Sequence, residues 1–330
     1  MGSDSFCGGL FVSWHPDWEA AALELAKTYK SYPVIAAKLR EKFPYKFFDG
    51  DAVRKWFVYN GHAFVKLDAV PQEYGWESTS KNLDMLWRKY EGSERIFVCS
   101  DLHVPHLDYT FAERAFNYAV DCDVAVLGGD IFNQDAFGRF HDDSTDFNQE
   151  YEQTVNMVLQ LAHTVPVVMI SGNHDRRLQK YLCKSVDTEL NQYKMLLRNP
   201  QADPLAILAE DTGTDYAGHW WVQIESVVIS HPDRYSGVPY RNITNSIDYF
   251  YPRIQRPWDT LCQGHSHQAG DGTYKGKYWY ELGIMCNRID YNVGPHQNSP
   301  IWTQGFAVLR MRNGHLVPNK SKLYTGKVFT

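Results

Sequence analysis

The stretch Ile96-Phe97-Val98-Cys99-Ser100-Asp101-Leu102-His103 decides the reading of this chain. Four apolar residues form a short strand, and the polar side chains begin where the strand stops. Asp101 and His103 stand on alternate positions, so in extended chain both can point the same way. The pattern recurs downstream. Val124 to Leu127 ends at Gly128-Gly129-Asp130, and Val165 to Ile170 ends at Ser171-Gly172-Asn173-His174-Asp175. Val227 to Ser230 ends at His231, and Leu261-Cys262 leads to Gly264-His265-Ser266-His267. Between the first three strands, Phe111 to Val120 and Tyr151 to Ala162 read as helices. Strands alternating with helices predict an α/β layered fold, whose ligands bind at the carboxyl ends of the strands.

Each cluster is weak alone. Asp-x-His is common, a Gly-Gly-Asp is more often a turn, and a histidine closing a strand is usually just hydrogen-bonded. Two imidazoles at alternate positions after a glycine are a sharper metal signal. The five together, in this order, resemble the calcineurin-like metallophosphoesterase superfamily over about residues 95–324. That resemblance implies a β-sandwich flanked by helices, with a two-metal site at one edge of the sheets. It implies that Asp101, His103 and His267 hold one ion, that Asn173, His231 and His265 hold the other, and that Asp130 bridges them. Oxygen and imidazole ligands without thiolate suit Mn first, with Zn or Fe as alternatives, rather than Ca or Mg. Two divalent ions about 3.5–4 Å apart polarise phosphoryl oxygens and turn a shared water into hydroxide at neutral pH. His174, outside the ligand pattern, is expected to contact the phosphoryl group and protonate the leaving oxygen, with Asp175 orienting it or sitting behind the ligands.

The ester is less legible. Protein phosphatases of the superfamily continue Gly-Asp with Asp-Arg-Gly, whereas this chain runs Gly129-Asp130-Ile131-Phe132-Asn133-Gln134-Asp135. Gly-Asp-Ile-Phe is similar to the SbcD-type DNA repair exonucleases, which carry a histidine at the place of Asn133. Asn133, Arg176 and Arg177 are expected to touch substrate. Arg176, Lys180 and Lys184 would share one helix face able to track a phosphate backbone; an ordinary solvated face is the alternative. Tyr249, Phe250, Tyr251 and Trp258 could stack on bases, or be core.

Ahead of the strands, Asp17 to Lys30, Tyr32 to Phe43 and a third run through Val53 to Val58 read as three short helices. They suggest a helix-turn-helix-like domain over residues 1–66, with Arg54 and Lys55 on the groove-entering helix, or else a dimerisation module. Residues 30–66 carry eight Lys/Arg against three Asp/Glu. Residues 67–94 read as a linker with a short helix near Leu83 to Tyr90, and residues 95–330 as the phosphoesterase domain.

Bulk properties narrow the classes. The chain has 330 residues, 44% of them hydrophobic, enough for a large core. The net charge of −6 speaks against broad, tight nucleic-acid binding over the whole surface. No apolar run reaches membrane-spanning length, the start lacks a signal-peptide pattern, and Phe6 stands where a myristoylation signal needs Ser or Thr. Six scattered cysteines without a C-x-x-C pair read as buried reduced thiols. The expected setting is the cytoplasm, or a host's cytoplasm if a phage encodes the chain. The leading expectation is a DNA-cleaving phosphodiesterase, with a homodimer and an ATPase partner as further expectations. A phosphomonoesterase or cyclic-nucleotide phosphodiesterase is the alternative, and a non-catalytic DNA-binding protein the third reading.

Overall fold

In the computed structural model, the described residues are 16–28, 32–43, 53, 73–137, 146–185, 203–234, 236–289 and 301–329. The chain divides into two compact units, Met1–Trp76 and Glu77–Thr330.

In the first unit, α1 (Pro16–Thr28) and α2 (Tyr32–Lys42) pack through small residues. Ala21, Ala22, Ala26, Ile35, Ala36 and Leu39 are buried together with Val53. The alanines let the two backbones approach closely, and Trp18 and Phe43 close one side with ring centroids 6.5 Å apart. The expected third helix, with Arg54 and Lys55, lies outside the described residues.

The second unit has four layers, and period-2 alternation along the strands explains them. One sheet runs β11 (His315–Leu316), β10 (Trp302–Arg312), β1 (Arg95–Cys99), β2 (Val124–Leu127), β3 (Val167–Met169), β4 (Asp215–Tyr216), with β12 (Lys322–Phe329) also paired to β10. The other runs β5 (Trp221–Ile224), β6 (Val227–Ser230), β7 (Thr260–Gln263), β9 (Lys277–Leu282), β8 (Ala269–Tyr274). Ile96, Val98, Val124 and Val126 face the second sheet, where they meet Ile224, Val227, Ile229 and Leu282. Their neighbours Phe97, Cys99, Ala125 and Leu127 face the helices α4 (Tyr109–Ala119), α5 (Phe147–Ala162) and α7 (Pro204–Thr212). Over the second sheet, α8 (Arg241–Phe250) buries Ile243, Ile247 and Phe250 against Val228, Leu261 and Trp279. With apolar neighbours on both faces, the central strands read as unbroken apolar runs.

β1, β2, β3 and β4 are mutually parallel, as are β6, β7 and β9. Their carboxyl ends therefore gather on one edge of the sandwich, and five of the loops leaving that edge carry the expected ligand residues. Three local readings differ from expectation. The helix before β1, α3, spans Glu73–Lys89, and its C-terminal part is seated by Leu86 and, just beyond it, Tyr90 in the layer between the sheets. The sequence signals a helix only from Leu83 because Gly75, Ser78 and Ser80 weaken its first half. The run Tyr274 to Met285, whose aromatic residues suggest one strand, begins at the end of β8 and continues as β9, because Lys275 and Gly276, both at positive φ, make a tight hairpin turn. α7 and α8 were not expected. Cys99, Cys122, Cys262 and Cys286 are free and buried, and burial raises the thiol pKa of each, to about 11 for Cys122. No helix among the described residues is long and apolar enough to cross a membrane.

Candidate metal centre

All seven expected ligand residues lie on that one edge. Asp101, His103 and His267 bring ligand atoms within 4.8 Å of one another, and so do Asp130, His231 and His265. His267 Nε2 is 3.1 Å from Asp101 Oδ1 and 3.3 Å from His103 Nε2. His231 Nε2 is 3.2 Å from Asp130 Oδ2, and His103 Nε2 is 3.9 Å from that same oxygen. Asp130 is thus the carboxylate shared between the two groups. Among the described residues, Asp130 Oδ2, Asn173 Oδ1 and His231 Nε2 are buried and make no hydrogen bond, the Asp130–His231 approach at 3.2 Å being an ion-pair contact. Such atoms are costly unless something else satisfies them. Their chemistry, carboxylate and amide oxygens with imidazole nitrogens, fits divalent cations.

The backbone is bent to make this edge. Asp101, His103, Asp130, His265 and His267 all have positive φ, between 46° and 80°. Non-glycine residues rarely adopt this region, and they do so where the surroundings enforce it. Enforcement is visible: Asp101 N–H donates to Gly129 O and His103 N–H to Asp130 O, while the Asp101 carboxylate accepts from His265 N–H at 2.9 Å. Two glycines permit the crowding. A Cβ on Gly172 would sit 2.1 Å from Asp130 Oδ1, and one on Gly264 would sit 1.9 Å from Ser100 Oγ and 2.6 Å from Asp101 Oδ2. His231 Nδ1 lies 2.8 Å from Gly128 O, which assigns its proton to Nδ1 and leaves Nε2 as the ligand atom.

The electrostatics favour positive charge at this edge. Burial opposes charge on His231, but the Asp130 and Asp101 carboxylates outweigh it and push the imidazole up to about 9. Burial would raise Asp130, yet His231 and the other imidazoles hold it well below the carboxylate range. The same carboxylates would favour a divalent cation. His265, half-buried and beside His231, falls to about 4, its burial outweighing the nearby carboxylates.

His174 is brought against the ligands, its ring centroid 4.5 Å from that of His103. Burial, followed by neighbouring cations set against Asp130, holds it well below the usual histidine range, so it is neutral. Its Nδ1 lies 3.0 Å from Asn133 O and 3.1 Å from Asn133 Oδ1, and Arg177 Nη2 lies 2.8 Å from its Nε2. Of the two places expected for Asp175, the structure gives the one behind the ligands: its carboxylate accepts from Phe132 N–H at 2.9 Å and Gly172 N–H at 2.7 Å, tying two ligand loops together. Burial and the nearby Asp130 push Asp175 up to about 7. Asn133 is fully buried, bonded to Asp135 and positioned to orient His174. Arg177 donates to Asn133 O and Asp135 Oδ1, both at 2.9 Å. Arg176 is half-buried, its Nε on Gly172 O and its Nη2 2.6 Å from Asp233 Oδ1. Lys180 reaches the same carboxylate at 3.7 Å, while the Lys184 side chain lies outside the described residues. Of the aromatic cluster, Phe250 and Trp258 are core, and Tyr249 and Tyr251 are exposed.

Glu150 belongs to the site without any sign of it in the sequence pattern. Its Oε1 accepts the Asn133 and Gln134 N–H groups, both at 2.8 Å, and so holds the turn after Asp130. No local motif marks it, since it lies one turn into α5.

The sequence model of the calcineurin-like phosphoesterases matches residues 94–269, more than half of the chain. No curated protein matches the sequence. Among solved structures, a novel archaeal phosphodiesterase is 12% identical with a TM-score of 0.37, over 70% of this chain and 99% of that one. A Vps29 from Entamoeba histolytica complexed with Zn²⁺ is 13% identical with a TM-score of 0.36, over 70% and 98%. A phosphoesterase-like protein from Streptococcus pneumoniae is 13% identical with a TM-score of 0.31, over 71% and 99%. With five ligand-bearing loops on one edge and the family's sequence pattern spanning them, this chain belongs to the calcineurin-like phosphoesterases and is a metal-dependent phosphoester hydrolase.

Proposed function

We propose that the enzyme is a two-metal phosphodiesterase acting on nucleic acid, DNA foremost, with manganese as its working metal. Asp101, His103 and His267 would hold one ion, Asn173, His231 and His265 the other, and Asp130 both. When bound, the ions supply Lewis acidity to a phosphoryl oxygen and an activated water at neutral pH.

The observation that carries the diester reading is the pairing of the arginines beside the ligands. Arg176 is tied to Asp233 and Arg177 to Asp135, at 2.6 and 2.9 Å. A phosphomonoester brings close to two negative charges at neutral pH and a diester brings one. A rim whose cations are already partnered suits the smaller charge.

His174 enters the reaction neutral, and its bond to Asn133 fixes the ring so that Nε2 is the working atom. Arg177 donates to that nitrogen in the free protein. A bound phosphate offers Arg177 a stronger acceptor, and its negative charge raises the basicity of the freed Nε2. That nitrogen can then hold a proton beside the leaving oxygen.

The test is a set of parallel assays with manganese-loaded protein on bis-p-nitrophenyl phosphate, p-nitrophenyl phosphate and labelled single- and double-stranded DNA. Faster diester cleavage with DNA degradation, both lost in Asp130→Asn, is the expected result. Monoester cleavage with intact DNA would overturn the reading in favour of a small-molecule phosphatase.

A further inference from the structure

Beside the ligand edge lies a cleft of about 690 Å³, lined by Arg176, Trp220, Arg234, Asn245, Ser246 and Tyr249 among others. Its size falls within the ~300–1,000 Å³ of small-ligand sites. Its walls are continuations of the segments that carry the ligand residues. His231 N–H donates to Trp220 O at 2.8 Å, Pro232 follows His231 into the lining, and Arg176 is fastened to Gly172 O, one residue before Asn173.

We infer that this cleft is a nucleobase pocket, which seats one base next to the scissile phosphate; the inference rests on the phosphodiesterase reading and gives that site its substrate class. Trp220 supplies the wall. It is half-buried and stacked on Phe250, with centroids 5.3 Å apart and planes 29° apart, so its ring is fixed before any ligand arrives. Tyr249 stands 5.6 Å from it, exposed, with the Arg253 guanidinium packed 4.1 Å from its centroid. A flat heteroaromatic ring stacks on such a surface whatever its sequence identity.

Polar groups sit where a base edge would need them. Asn242 is occupied: its Oδ1 accepts Ser236 N–H at 2.7 Å, which fixes the loop forming one rim. Asn245, three residues on, is exposed on the same lining and makes no side-chain hydrogen bond among the described residues. Its amide carries both a donor and an acceptor, the pair that a base edge presents. Arg234, exposed on the rim and without an ion pair among the described residues, is placed for a flanking phosphate. A monoester lacking a base would leave this aromatic and amide lining without use.

Two readouts on the manganese-loaded protein test the pocket. One is the ratio of kcat/KM for thymidine 5′-p-nitrophenyl phosphate to that for bis-p-nitrophenyl phosphate. The other is binding of the four nucleosides, which lack phosphate and so need no metal contact, followed by tryptophan fluorescence. Saturable nucleoside binding is expected, together with a ratio above one. Tyr249→Ala should weaken the binding and lower the ratio, each by about tenfold. Asn245→Ala, on an exposed helical position, should level the differences among the nucleosides. Nucleoside binding without cleavage of either diester would keep the pocket and sink the phosphodiesterase reading. Diester cleavage with a ratio of one and no saturable nucleoside binding would overturn the pocket.

Discussion

The ligand edge and the basic helix beside it were both marked by the sequence, and they differ in what the fold does with them. At the edge, five ligand residues are held at positive φ, and Asp130 Oδ2, Asn173 Oδ1 and His231 Nε2 are buried without a hydrogen bond among the described residues. On the helix α6 (Arg177–Ser185) and the residue before it, Arg176 and Lys180 converge on Asp233, and Arg177 on Asp135. Residues at positive φ persist where the surrounding structure enforces them, and unpaired buried polar atoms are costly unless something satisfies them. Paired surface charges need no ligand to explain them. A site thus announces itself less by its residue types than by what the protein leaves unfinished around them.

The sharpest way to probe that contrast is His174, which is not at positive φ and lies outside the expected ligand set. His174→Ala should lower kcat by about 10²–10⁴-fold while metal content stays at the wild-type level. Full turnover in that variant would remove it from the mechanism.

A second probe is the pH dependence of the metal-free fold. Burial, with the Asp135 and Asp175 charges, pushes Glu150 up to about 7 against the two amides that donate to it. The folded state therefore keeps a proton that the unfolded chain releases near its ordinary value. Stability from this residue is complete below that value and is lost as pH rises towards 7, by up to roughly 3 kcal/mol. Denaturant melts of wild type and Glu150→Gln across pH 4 to 8 should show the slope in the first and a flatter curve in the second. Parallel curves would show that Glu150 folds ionised.

Gly264→Ala tests the crowding itself. Its Cβ would collide with Ser100 Oγ and the Asp101 carboxylate, so manganese affinity should fall by about 10–100-fold, as for residues that support metal ligands. Unchanged affinity in a metal titration would mean the edge can relax, contrary to the strain account. The smallest effect belongs to the basic helix. Asp233→Asn should change stability by less than about 1 kcal/mol, because the carboxylate is half exposed. It should nevertheless tighten DNA binding at low salt by releasing Arg176 and Lys180. Affinity that stays the same at every salt concentration would detach this face from nucleic acid.

The ligand residues were legible because each follows an apolar strand, and parallel strands put their carboxyl ends on one edge. Local pattern and global placement coincide there. The partners of those residues were not legible. Asp175 sits beside His174 in the chain, yet its oxygens bond Phe132 and Gly172, while the group positioned on His174 is Asn133, forty-one residues away. Only the packing of three loops decides which neighbour wins. Glu150 and the Trp220–Tyr249 wall share that fate, since both depend on helices docking over the sheets. α8 was missed because the sequence Arg241–Phe250 mixes polar and apolar residues without a capping signal: its N-cap is Tyr240 at positive φ, which makes no side-chain cap. The hairpin turn at Lys275-Gly276 was hidden by aromatic residues that read as one continuous strand.

In the proposed mechanism Asp130 joins two ion positions on one edge. Metal content per chain, measured by elemental analysis after manganese loading and gel filtration, tests it most directly in wild type beside Asp130→Asn. About two ions per chain in the wild type, with at least one lost in the variant, is the predicted result. One ion or none in the wild type, or an unchanged pair in Asp130→Asn, would contradict it.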